Sequence, residues 1–238
     1  MIKFHPSSEQ IKEFVEGTLS PATSLMVSAH CDMCKKCQKQ VELQTELLAA
    51  EMVSSFERQS ASSSGFDSML AEITQMPSSI ESDGFLSTSQ NNAVAGGSKV
   101  YGSTTIELDG RSFKLPRTLH RYIDKTGNWS SLVGKLWQAP VDLGNQGVAN
   151  FIYMAQGGSV PEHTHRGTEY TLVIDGEFSD GLSHYDTGDF IFMDGEKTHT
   201  PKADTKEGCL VFSIVDQPLH FTSGLARLLN PFSHLFFR

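Results

Sequence analysis

The 238-residue chain carries 19 Lys and Arg against 28 Asp and Glu, a net charge of −9 with neutral histidines. That balance excludes a protein that grips nucleic acid with its own surface, since neutralising phosphates takes a basic patch, and it suits a basic protein partner. The length fits two small domains, and no run of apolar residues is long enough to cross a membrane. The first twenty residues carry Lys3, His5, Glu9, Lys12, Glu13 and Glu16 around no apolar centre, so no secretory leader is expected and the cytoplasm is the expected compartment.

Three helices are expected first. Ser7 or Ser8 caps a helix with Ile11, Phe14 and Val15 on one face, and Gly17 ends it. Ser20 and Pro21 open a second helix carrying Leu25, Met26 and Ala29. A third is expected from Gln38 to about Arg58, in a stretch rich in Glu, Gln, Leu and Ala. The Ser-rich run that follows cannot bury enough apolar area to offset its ordering entropy and reads as a linker. Within it, Phe66, Met69, Leu70 and Ile73 keep the i, i+3, i+4, i+7 spacing of an amphipathic helix. That stripe docks either on the preceding helices or on a partner.

From residue 100 the pattern changes to short segments rich in Val, Ile, Phe, Tyr and Thr. Turn signals such as Asp109-Gly110, Gly157-Gly158, Asp175-Gly176 and Glu207-Gly208 divide them. An antiparallel barrel or sandwich is expected. After Pro218 an apolar tail holds Leu225, Leu228, Leu229, Phe232, Leu235 and Phe236 at near-helical spacing, which suits a core cap or an oligomer contact. The expected organisation is a helical domain over 1–75, a linker over 76–99 and a β domain over 100–238.

Two groups of residues carry chemistry. His30, Cys34 and Cys37 fall within roughly 60° of arc on one helix, so an imidazole and two thiolates converge as three ligands of a tetrahedral Zn²⁺ site. Cys31, Cys34 and Cys37 offer a competing register, spread over about 120° and therefore poorer. His5, held extended by Pro6, is the candidate fourth ligand.

The two-helix entry, His5-Pro6 and the segment HCDMCKKC together resemble the zinc-binding anti-sigma domain, and specifically its ChrR type, in which a cupin domain follows. Cys31 is a departure, since the motif does not require it. The resemblance implies a helical domain that wraps a group IV (extracytoplasmic function, ECF) sigma factor, one to one, and blocks its access to RNA polymerase. It also implies release on an oxidative signal, such as singlet oxygen or an organic peroxide, received through the cupin domain.

In the β region, His163 and His165 lie two apart and so share one face of a strand; Glu169 follows, and His199 lies on a later strand. Three imidazoles and a carboxylate form a site for a divalent transition metal, zinc first, with manganese, iron or nickel as alternatives. With Gly157 and Gly176 these residues resemble the first cupin motif throughout. In the second motif Gly188 and His199 keep the spacing, while Asp194 and Glu196 replace the usual Pro and Gly, and Ala203 stands where Asn is common. The remaining candidates, Glu162, Tyr170 and His184, read as turn or solvent-facing residues, and Cys209, within the run CLVFSIV, reads as a core thiol. No acid/base pair is evident beside the metal ligands, and what the resemblance implies is a regulator and not an enzyme. The alternative is a dioxygenase-like cupin metalloenzyme with a helical zinc-binding extension.

Overall fold

The computed structural model describes residues 1–60, 66–75, 104–132, 134–144, 147–165, 167–195, 198–217 and 220–222. The expected linker, 76–99, and the apolar tail from 223 onward lie outside the described residues. Helices α1 (Ser8–Glu16), α2 (Pro21–Met33), α3 (Lys35–Ser60) and α4 (Phe66–Gln75) precede an antiparallel β domain. A helical amino-terminal region followed by β structure is the expected fold class.

Local chemistry accounts for the helix ends. Ser7 and Gln10 form a reciprocal capping box on α1, and Gly17 closes the helix at φ 72°. Ser20 caps α2 by accepting the Thr23 N–H, with Pro21 in the first turn. The chain then breaks at Cys34, whose φ −117° and ψ 100° are extended. His30 and Cys37 therefore belong to two helices, with Cys34 between them. The single-helix arc read from the sequence is corrected accordingly: nothing in HCDMCKKC is a strong helix breaker, so the break carries no local signal.

The β domain contains β1 (Thr105–Leu108), β2 (Arg111–Lys114), β3 (Ser130–Ser131), β4 (Leu136–Val141), β5 (Val148–Met154), β6 (His163–Thr164), β7 (Glu169–Ser179), β8 (His184–Asp186), β9 (Phe190–Met193), β10 (Cys209–Val215) and β11 (His220–Phe221). A short 3-10 segment, Arg117–Lys125, was not signalled by the sequence. The main sheet runs β3-β4-β5-β10-β7-β8, with β9 also on β7; β1-β2 and β6-β11 form separate antiparallel pairs. Asp109 and Gly110, both at positive φ, make the two-residue turn that joins β1 to β2.

Strands β5 and β10 are apolar on both faces because both faces are covered. Ile152, Met154 and Val211 point into one core, which adjoins the histidine cluster. Phe151, Tyr153, Leu210 and Phe212 point into the other, which takes in Leu25, Met26, Val27 and Ala29 of α2. Met26, Val27 and Ala29 are completely buried. Burying each large side chain is worth about 1.5–3 kcal/mol, so α2 is anchored by the β domain whatever its own propensity. Accordingly the chain divides into two compact units, Met1–Gln44 with Tyr101–Arg238, and Thr45–Val100. The first unit takes in α2 with the strands because Leu25, Met26, Val27 and Ala29 share their core. In the second unit, α3 from Thr45 and α4 leave Leu47, Met52, Val53, Met69, Leu70 and Ile73 exposed.

Candidate metal centres

His5, His30, Cys34 and Cys37 come together, with one donor atom each within 4.8 Å of all the others. His30 Nε2 lies 3.3 Å from Cys37 Sγ and 3.4 Å from His5 Nδ1; His5 Nδ1 lies 3.5 Å from Cys34 Sγ and 3.4 Å from Cys37 Sγ. A tetrahedral zinc with ordinary Zn–N and Zn–S lengths holds such donors about 3.4–3.7 Å apart. The spacing therefore fits the ion with little movement.

The tautomer fits as well. His30 Nδ1 is 2.9 Å from the Gly188 carbonyl oxygen, which can only accept, so Nδ1 carries the proton and Nε2 turns its lone pair to the cluster. Burial lowers the pKa of His30 to about 4, which keeps the ring neutral. Burial and the neighbouring Cys34 push the Cys37 thiol up to about 12, so without a cation it stays protonated. Ile11 of α1 packs on Cys34 and Cys37. Cys31 is half-buried against the apolar cores and is not among the converging donors.

The second group, His163, His165, Glu169 and His199, also converges within 4.8 Å. His199 Nε2 lies 2.9 Å from His163 Nε2 and 3.0 Å from His165 Nε2, and His165 Nε2 lies 2.9 Å from Glu169 Oε2. Ligands at right angles about 2.1 Å from an ion stand about 3.0 Å apart, so this closer set suits a higher coordination number than the first. His163 Nδ1 donates to the Pro161 carbonyl at 2.8 Å, which again frees Nε2 for a cation. Burial lowers the His163 pKa to about 4. Burial by itself raises the Glu169 pKa, but the His165 hydrogen bond and the surrounding imidazoles outweigh it, and the carboxylate is held well below the usual range. Glu169 Oε1 accepts from Thr171 and Ser213, which fixes its orientation. An apolar cavity inside the β domain, lined in part by Ile152, Met154, Phe178 and Met193, opens onto His163, Glu169 and His199.

The glycines serve geometry. Gly176 sits at φ 83° with the Gly208 carbonyl oxygen 2.1 Å from where a Cβ would lie, so no side chain fits. Gly188, at φ 93°, delivers its carbonyl oxygen to His30. His184 is exposed and Cys209 buried, as read from the sequence. Sequence reasoning missed Phe4, Asp180, Tyr185 and Asp189, which surround the two centres. Asp180 stands in a Ser-Asp-Gly turn and Tyr185 in a strand, and neither environment carries a sequence signal.

Residues 123–217 match the family model described as the ChrR cupin-like domain. Over 234 residues the chain is 27% identical to the anti-sigma-E factor ChrR of Cereibacter sphaeroides, covering 97% of this chain and 98% of that one. The resemblance is to ChrR, from end to end. A crystal structure of Rhodobacter sphaeroides SigE in complex with the anti-sigma ChrR shares the fold: TM-score 0.61, 23% identity, covering 91% of this chain and 100% of that one. The ChrR-like chain holds its two donor clusters in separate settings, one where α2 meets α3 and one inside the β domain. No described helix is long and apolar enough to cross a membrane.

Proposed function

We propose that this chain is an anti-sigma factor that sequesters a group IV (ECF) sigma factor, one to one and in the cytoplasm, and so negatively regulates transcription. The observation that carries the reading is the end-to-end similarity to an anti-sigma factor. The geometry supports it. A helix as long as α3 normally buries a stripe of its surface, yet Leu43, Leu47, Met52 and Val53 remain exposed, as do Met69, Leu70 and Ile73 on α4. These apolar faces suit a protein partner, and the net charge of −9 suits a basic one.

In this reading His5, His30, Cys34 and Cys37 hold Zn²⁺, which sets the direction in which α3 leaves α2. His163, His165, Glu169 and His199 hold a second divalent transition metal. An oxidative signal, of the kind that singlet oxygen or an organic peroxide supplies, reaches the β domain and frees the sigma factor. The test is co-expression of the full chain with each group IV sigma factor of its organism, followed by size-exclusion chromatography and promoter-specific transcription in vitro. A stoichiometric complex that silences transcription is expected. Absence of a complex with every one of them overturns the reading.

A further inference from the structure

A line of packed contacts joins the two centres within the first compact unit. The Asp180 side chain is wholly buried, with Oδ2 3.6 Å from His199 Nδ1, just beyond hydrogen-bond length. Among the described residues His199 Nδ1 has no hydrogen-bond partner, although it is buried. Asp180 Oδ1 accepts the Leu182 and Ser183 N–H groups at 2.8 Å each, and Oδ2 accepts the Tyr185 hydroxyl at 3.0 Å. A carboxylate taken this far from water is costly unless it has donors, and here they fix it behind the one histidine of the cluster that comes from the late segment of the domain. The Tyr185 ring then packs on Phe4 with centroids 4.8 Å apart. Phe4 is the residue before His5, and it is pinned to the β domain. The Lys3 and Phe4 N–H groups both donate to Asp189 Oδ1, at 2.6 and 3.0 Å, and the Phe4 carbonyl accepts the Phe190 N–H at 3.0 Å.

We propose that Asp180 and Tyr185 are positioning residues that couple the two metal centres, so that the state of His199 is felt at His5 through Asp180, Tyr185 and Phe4. Asp180 Oδ2 faces the Nδ1 edge of the His199 ring at 3.6 Å. While the His199 ring is held at the cluster, its Nδ1 edge stands against Asp180 Oδ2; when the ring turns, Oδ2 loses that neighbour and its hold on the Tyr185 hydroxyl shifts, while Oδ1 stays on the Leu182 and Ser183 N–H groups. The Tyr185 ring then shifts against the Phe4 ring, whose backbone stays pinned at Asp189 and Phe190, and the altered packing weakens the hold of His5, one residue on, at the first cluster. Coupling of this kind is reciprocal and commonly amounts to about 5–150-fold in affinity. The inference rests on both clusters holding metal, as proposed above.

A double-mutant cycle on the full chain tests it, read as the rate at which a chromogenic chelator draws zinc from the Cys34/Cys37 site. Glu169→Gln, which weakens the β-domain site, is expected to speed zinc release about fivefold or more in the otherwise unchanged chain. In a Tyr185→Phe background, which keeps the ring and removes the hydroxyl, Glu169→Gln is expected to add nothing further. Asp180→Asn is expected to behave as Tyr185→Phe does. Phe4→Leu gives a second cut through the same line, and far-UV circular dichroism shows that each variant is folded. Two metals per chain with effects that multiply independently overturn the coupling and leave the metal sites standing. Fewer than two metals in the unaltered chain overturns the reading on which the coupling rests, and the coupling with it.

Discussion

His30 presents Nε2 to the Cys37 thiol at 3.3 Å because its other nitrogen, Nδ1, is tied to the Gly188 carbonyl at 2.9 Å. A candidate metal ligand of the helical region thus takes its tautomer from a turn of the β domain, 158 residues away in sequence. Gly188 can serve only because it has no side chain. At φ 93° any L-residue is strained, and a Cβ would fall 2.5 Å from Ile2 Cδ1. The Ile2 side chain can swing aside, so backbone strain decides the cost. Gly188→Ala is expected to destabilise the chain by about 1–3 kcal/mol and to weaken zinc binding at the first site, as read by chemical denaturation and chelator competition.

The first centre makes a sharp distinction among the thiols. Cys34→Ser and Cys37→Ser are each expected to abolish stoichiometric zinc there, whereas Cys31→Ser keeps it, because Cys31 is not among the converging donors. Elemental analysis of the purified variants checks this. Loss of zinc from a variant at Cys31 alone would reassign the ligand set.

Metal removal should loosen the molecule unevenly. Helix α2 is fixed by Leu25, Met26, Val27 and Ala29 in the β-domain core, while α1 rests its one fully buried side chain, Ile11, on Cys34 and Cys37 and adds the half-buried Phe14 against that core. After chelation, hydrogen exchange is expected to accelerate in α1 and at the start of α3, with α2 and β5 still protected. Uniform loss of protection would show that the helices share one cooperative unit with the strands.

Acid should destabilise the metal-free chain earlier than its carboxylates alone would. The pKa of His30 falls from 6.5 to about 4 on folding, so between those values the unfolded chain binds more protons. Stability is then full above about pH 6.5 and is lost as the pH falls towards 4, by on the order of 3 kcal/mol for this one ring. His163, lowered to about the same value, acts in the same direction. Urea midpoints measured from pH 8 to pH 4 on metal-free protein check the slope, and His30→Gln should flatten it.

The exposed apolar faces predict separable effects. Leu47→Glu on α3 and Ile73→Glu on α4 are each expected to weaken sigma-factor binding at least tenfold, with metal content and melting temperature unchanged, since both residues are more than half exposed. Titration calorimetry alongside elemental analysis checks the pair. Unchanged affinity in both variants would move the docking surface elsewhere.

Much of this molecule is legible in its sequence because the signals are local. Caps at Ser7 and Ser20, the stop at Gly17, the Asp109-Gly110 turn and the alternation of strands and turns each depend on a few neighbouring residues. The two groups of four side chains that converge were named from sequence too, since candidate metal ligands are particular atoms at particular spacings. What the sequence could not carry was contact between distant segments. That α2 is a core element of the β domain, that the helix opens at Cys34, and that Gly188 and Asp189 meet His30 and Phe4 were decided by packing between segments far apart in sequence. A buried Asp in a Ser-Asp-Gly turn reads the same as an exposed one, because burial belongs to the fold and not to the residue.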